Sequence, residues 1–169
     1  MIRPFRGIVP RIHPSAFVDQ SAQVIGDVEI GEECGVWMNV VIRGDVNHIR
    51  IGNRSNIQDL TMVHVMVRTC PTVIGDDVTV GHSALLHGCT IGNNCLIGMG
   101  AQLLNGVTVG DDCIVAAGSL LTEGFVVPPR SLVMGRPARV KRALTDAEVE
   151  DVRGYARRYV EYRKDYMES

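Results

Sequence analysis

No stretch of this 169-residue chain approaches the ~20 consecutive apolar residues that a membrane-spanning helix needs. The first residues, Met1-Ile2-Arg3-Pro4-Phe5-Arg6-Gly7, lack the apolar segment of a secretory signal. Neither sign of charge is in large excess. The chain has 17 Lys and Arg against 19 Asp and Glu, a net charge of −2, which argues against nucleic acid or an anionic membrane as partner. Cysteines number five, an odd count, and none stands in a Cys-x-x-Cys pair, which points to reduced thiols. Together these absences predict one soluble, cytoplasmic domain, long enough for a real core.

What the chain does have is a repeat. Aliphatic residues recur every six positions at Ile12, Val18, Val24, Ile30, Val36 and Ile42, resume at Ile51, Ile57 and Val63, and return at Ile74 and Val80. From Ile91 the beat runs unbroken through Ile97, Leu103, Val109, Val115, Leu121, Val127 and Val133. A second beat lies four residues after the first and is nearly all small or β-branched: Ala22, Val28, Cys34, Val40, Ser55, Val78, Ala84, Cys95, Ala101, Val107, Cys113 and Ser119. Alternation makes a half-buried strand and a period of 3.6 makes a helix; a strict six makes neither. A short strand and a turn, repeated, do make six, and three such units form one triangular coil. The run from Ile12 to Val133 therefore predicts a mainly β chain, a parallel β-helix of roughly six to seven coils stacked ~4.8 Å apart. Cys34, Cys95 and Cys113 fall on the small-residue beat and Cys89 close to it, so they are expected to be packing residues.

Pro128-Pro129-Arg130 and Gly135-Arg136-Pro137 are breakers that should end the prism. Beyond them Thr145-Asp146-Ala147-Glu148 fits a capping box. Val149, Val152, Ala156, Tyr159, Val160 and Tyr166 then recur near helical spacing, predicting a helix over 146–166 packed along the prism.

Histidine is scarce, five in all, yet His64, His82 and His87 fall together inside the repeat. Counting faces, Ile51, Ile57 and Val63 open the three faces of one coil, and Ile74, Val80 and Leu86 (or Leu85) open those of the next. With Leu86 inward, His64 and His87 stand one above the other, and two imidazoles ~5 Å apart can share a metal. His82 lies on another face near a corner and points toward a neighbouring subunit, a geometry that a C3 trimer closes. Histidines on solenoid turns are also commonly no more than solvated polar residues, and spacing alone leaves both readings open.

Several segments resemble the γ-class carbonic anhydrases and their bacterial hexapeptide-repeat relatives. They are Val41-Ile42-Arg43-Gly44-Asp45, Ile49-Arg50-Ile51-Gly52, Ser55-Asn56-Ile57-Gln58-Asp59, Val63-His64 and Gly81-His82-Ser83-Ala84-Leu85-Leu86-His87-Gly88-Cys89. The likeness runs from Ile12-His13-Pro14 to Met134-Gly135-Arg136-Pro137-Ala138. The resemblance implies a left-handed β-helix with the C-terminal helix alongside, assembled as a homotrimer with metal sites at the subunit interfaces. It implies His64 and His87 of one subunit and His82 of the next as ligands to Zn²⁺, or to Fe²⁺ or Co²⁺. A metal-bound hydroxide would attack CO2 and release bicarbonate. Gln58 matches the residue that orients that hydroxide, and Asn56 would line the same pocket. Arg43 and Asp45 match a pair that holds the subunit interface and can help to bind bicarbonate, with Asp59 as a further partner. Tyr159 would approach the pocket or pack the helix on the prism; Trp37 and Met38 would line an interface or a pocket.

The chain departs from the archetype where a proton shuttle is expected. Val46 stands where the family carries a glutamate, and the short loop Met66-Val67-Arg68-Thr69 has no acid. Three other activities fit the same repeat. One is a coenzyme A-dependent acyltransferase with histidine as general base, and the second is a metal-dependent thioesterase. The third is a metal-pinned trimer with little catalysis.

Overall fold

The six-residue beat folds as two-residue strands joined by turns. In the computed structural model, which describes residues 1–168, these stack as a parallel β-solenoid of about 7 turns with a single C-terminal helix. Face two shows the pattern most simply. Phe17–Val18, Gly35–Val36, Asn56–Ile57, Thr79–Val80, Leu96–Ile97 and Ile114–Val115 pair in parallel, each aliphatic over the next. Inside, Val24, Val36, Ile42, Ile57, Val63, Val80, Leu86, Ile97, Leu103, Val115 and Leu121 are completely buried. The second beat is equally buried, from Ala22 to Ser119, because its residues fill the narrow corners of the prism. Cys34, Cys89, Cys95 and Cys113 are among these packed side chains.

Faces one and three belong to a single 12-stranded sheet, because Gln23–Ile30 and Val41–Ile51 run unbroken around the corner between them. The three extra residues after Ile42 are absorbed there, with a register shift between Gly26 and Val28. The five extra residues after Val63 form a small loop closed by the antiparallel bridge between Met66 and Cys70. Val63 lies opposite Leu86 and His64 opposite His87, so Leu86, not Leu85, is the inward residue.

Another corner is stitched by stacked Asx side chains. Asn53 Oδ1 accepts from the Glu32 amide, Asp76 Oδ1 from Asn53, Asn93 Oδ1 from Asp76 and Asp111 Oδ1 from Asn93, at 2.7–2.9 Å. Each side chain thus satisfies a backbone donor one coil away.

Two elements lie outside the repeat. Ile2–Arg3 adds a strand to face three beside Val24. At the other end Ser131–Gly135 stacks on Ile114–Val115 and then turns back into the antiparallel strand Ala138–Ala143. The breakers therefore reverse the last strand rather than simply ending the prism, and Arg139, Val140 and Lys141 leave its edge charged and exposed.

The helix, α1 (Asp146–Glu168), begins at the expected box: the Thr145 amide donates to Glu148 Oε2 at 2.9 Å and the Glu148 amide to Thr145 Oγ1 at 3.3 Å. It buries Val149, Val152, Ala156 and Arg163. Trp37, the single tryptophan, is packed edge-on by Tyr159 and Tyr166 of α1 and tilted against Phe17. At the start of the helix Arg130 pairs with Asp146. Toward its end Arg163 donates to the Ser15 carbonyl at 2.5 Å and to Glu33 at 3.2 Å. No helix among the described residues is long and apolar enough to cross a membrane.

The box makes one pH prediction. Hydrogen bonds from Arg142 and from the Thr145 amide pull the Glu148 carboxyl from an ordinary 4.5 down to about 2. A lowered folded-state pKa means that this lock is fully present above pH 4.5 and is lost as pH falls toward 2. Backbone amide NMR shifts of Val149 and Val152, buried in the first turns of α1, should report its start loosening across that window, and Glu148→Gln should already show the looser signal at neutral pH. An identical acid transition in both proteins would show that the box does not hold the helix.

Candidate metal centre

Two stacked coils bring His64 and His87 face to face. Each follows an inward aliphatic, Val63 or Leu86, and so points outward from the corner between faces three and one. Their ring centroids are 5.0 Å apart, and His64 Nδ1 lies 3.1 Å from His87 Nε2. The far nitrogens are both occupied. His64 Nε2 sits 2.9 Å from Asp45 Oδ1, and His87 Nδ1 sits 2.7 Å from Asn105 Oδ1. A carboxylate and an amide oxygen only accept, so both far nitrogens are the protonated donors. The facing nitrogens are then the two lone-pair positions. They can share the space between them only with a proton or a cation.

These residues therefore fit a divalent ion: two imidazoles aimed at one point, each oriented by a second partner in the manner of metal-binding histidines. Asp45 is itself braced by Arg43, two residues away on the same strand. Burial works to raise the Asp45 carboxyl, but the hydrogen bonds from His64 and Arg43 outweigh it and hold the group below its ordinary value. Within one chain, then, Arg43 and Asp45 form a pair that carries His64. Cys89, two residues beyond His87, is no competitor: burial pushes its thiol up to about 12.

His82 stands at the corner between faces two and three, its Nδ1 3.0 Å from Asp59 Oδ2. Asp59, expected as a partner of Arg43 and Asp45, belongs within one chain to this second corner. Among the described residues, no three His, Cys, Asp or Glu side chains of one chain converge on a single point.

Around His82 lies a cavity of about 450 Å³ between face two and α1, lined also by Gln58, Gly98, Met99, Arg158 and Tyr159. Gln58 donates to Asn56 Oδ1 at 3.2 Å, and Asn56 donates to Thr79 Oγ1 at 2.9 Å. The two buried amides are thus held in one orientation. Burial, aided by the Asp59 carboxylate, pushes the Tyr159 phenol above its ordinary value. Tyr159 both packs on Trp37 and lines this cavity. A larger cavity, about 620 Å³, lies on face one beside Arg11, Glu29 and Arg50, away from all three histidines. Its charges are already neutralised by pairs between Arg50 and both Asp27 and Glu29.

The residues singled out from sequence thus form two half-sites. Arg43, Asp45, His64 and His87 share one corner; Asn56, Gln58, Asp59 and His82 share another. Asn105, the amide behind His87, was missed. Its signal was a simple one, a polar residue 18 positions after His87.

Known proteins similar to this one share most of its length. The family description "Bacterial transferase hexapeptide (six repeats)" matches residues 71–101 and 88–123. A probable carbonic anhydrase of Methanocaldococcus jannaschii is 57% identical over 85% of this chain and 89% of its own length. Gamma carbonic anhydrase 2, mitochondrial, of Arabidopsis thaliana is 46% identical over 89% of this chain and 56% of its own. Among solved structures, a hexapeptide transferase family protein from Anaplasma phagocytophilum superposes with a TM-score of 0.94 at 40% identity, covering 98% of this chain and 97% of its own.

Proposed function

Because this chain belongs to the γ-carbonic anhydrase family of hexapeptide-repeat proteins, we propose that it interconverts CO2 and bicarbonate at a divalent metal centre shared between subunits of a homotrimer. His64 and His87 would come from one chain and His82 from its neighbour, with Zn²⁺, Fe²⁺ or Co²⁺ as the ion. The observation that carries this reading is the pair of facing nitrogens, His64 Nδ1 and His87 Nε2, each with its opposite nitrogen tied down.

An ion bound there would lower the pKa of a coordinated water to about 7 and so supply a nucleophile at neutral pH. The protein's own contribution is placement. Gln58, fixed by Asn56 and Thr79, offers a neutral amide that can orient a water without competing for the metal. Arg43 and Asp45 hold the His64 ring and leave a guanidinium near the site for an anionic product. Val46 and Val67, both exposed at the rim, cannot carry a proton away, so export would fall to buffer or to other groups.

A second reading rests on His82. With Asp59 behind it and a cavity in front, it is arranged as a general base for acyl transfer or thioester cleavage. Metal analysis of anaerobically purified protein, paired with stopped-flow CO2 hydration, separates the two. The metal-centre reading expects about one ion per subunit, loss of that ion in His82→Ala, and hydration well above the buffer rate. Full activity toward an acyl thioester in a protein that binds no metal would support the base reading instead.

A further inference from the structure

Three residues lie 18 positions apart in sequence: His87, which ends a strand, and Asn105 and Glu123, which stand in turns. Each immediately precedes a glycine in the left-handed region, Gly88 (φ 62°), Gly106 (φ 70°) and Gly124 (φ 70°). The repeat therefore stacks the three side chains along one corner, and they are joined in sequence. His87 Nδ1 lies 2.7 Å from Asn105 Oδ1, and Asn105 Nδ2 donates to Glu123 Oε1 at 2.9 Å. Glu123 is exposed, and among the described residues its carboxylate meets no cation in an ion pair.

Each link leaves only one arrangement to the next. A carboxylate only accepts, so Glu123 must face the NH2 group of Asn105. That orientation turns the amide oxygen toward His87, and an amide oxygen also only accepts. His87 must then carry its proton on Nδ1, leaving the Nε2 lone pair aimed at His64. If Glu123 were neutral or absent, the amide would be free to rotate and offer NH2 to the ring. His87 would then favour the other tautomer, with a proton on the nitrogen that faces His64.

We propose that Glu123, acting through Asn105, sets the tautomer of His87 and so keeps Nε2 open as a ligand. Both are positioning residues, and neither is itself a ligand. The proposal rests on the metal-centre reading for its purpose, but not for its test.

That test is the tautomer itself, read from long-range ¹H–¹⁵N spectra of histidine-labelled, metal-free protein at pH 8. The wild type should show His87 protonated on Nδ1. Asn105→Ala should shift it to the Nε2-protonated form, and Glu123→Gln should give a mixture of the two. Asn105→Asp combined with Glu123→Gln should restore the wild-type spectrum, because the new carboxylate accepts without needing Glu123. Zn²⁺ affinity, measured by chelator competition, should fall by about 10–100-fold in Asn105→Ala and recover in the double variant. A His87 spectrum unchanged in Glu123→Gln, whose substitution is on the surface, would overturn the proposal even if Asn105→Ala fails to fold. Wild-type protein that takes up no Zn²⁺ would overturn the metal-centre reading instead, and the tautomer shifts would still decide this one.

Discussion

Mixed trimers assembled from His64→Ala and His82→Ala chains should regain about a quarter of the wild-type CO2 hydration rate, although neither variant is active alone. His64 and His87 share a corner and His82 occupies a different one, so the proposed site takes the pair from one chain and His82 from its neighbour. In a pure His64→Ala trimer every site lacks one ligand, and in a pure His82→Ala trimer every site lacks another. Loss of a ligand should exceed the ~10–100-fold cost of disturbing an outer-shell partner, taking both to the buffer rate. In a random equal mixture, an intact His64 and His87 pair meets an intact His82 at roughly one site in four. Differently tagged chains, unfolded together and refolded, would give that mixture, and stopped-flow hydration would read it. A mixture of folded trimers still at the buffer rate, or a His82→Ala protein with full activity, would refute a site divided between subunits.

The second large effect is on stability. A Cβ placed on Gly98 would stand 2.4 Å from the Ala117 amide nitrogen and 2.8 Å from the Ala116 carbonyl carbon, both backbone atoms of the next coil. Backbone cannot rotate aside as a side chain can, so Gly98→Ala must pry two coils apart and weaken the ladder beyond Ile97. Overpacking typically costs about 1–3 kcal/mol, and a clash against rigid backbone belongs at the upper end, about 3 kcal/mol. For a chain of this size that lowers the melting temperature by about 6–12 °C. Gly100→Ala is the control. At φ 66° it has no atom within 4 Å of the added carbon, so it bears only the ~1–2 kcal/mol of a left-handed backbone. Thermal unfolding of the two variants should rank them in that order; equal losses would mean that the coils can separate at little cost. Gly98 also lines the cavity beside His82, so the same change should disturb that half-site.

The solenoid was legible because its rule is local and repeated. Each aliphatic on the beat had only one place to go, and Leu86 over Val63 settled the level of His87 against His64. The helix was legible for the same reason: Thr145 and Glu148 announce its start, and it runs two residues beyond the predicted end. Ile2–Arg3 and Ala138–Ala143 were not, since their pairing is decided by which sheet edge they happen to meet. In the site, the separation of His82 from the other two histidines followed from counting faces. The partners of those histidines did not. Asp45 reaches His64 only because Val41–Ile51 continues around the corner, and that course depends on three extra residues rather than on the beat. Glu123 was hidden for a different reason, as an ordinary exposed acid until the amide between it and His87 is seen.

A stacked array of coils is, in principle, a one-dimensional object: each layer touches only its neighbours, and it can peel from either end. The contacts of α1 change that. It leaves the last coil, with Asp146 on Arg130, and near its end Arg163 reaches Ser15 and Glu33 at the first coils. Residues 148 positions apart are thereby in contact, and the row of layers is clasped into a loop. Fraying at the first coil must also release the helix, and so exposes Trp37 and the aromatic cluster around it. Opening at either end becomes coupled to the middle, so amide exchange should be slow and nearly uniform along the stack, not graded toward its ends. The same clasp cannot close until the whole row exists, which places it among the last contacts to form during folding.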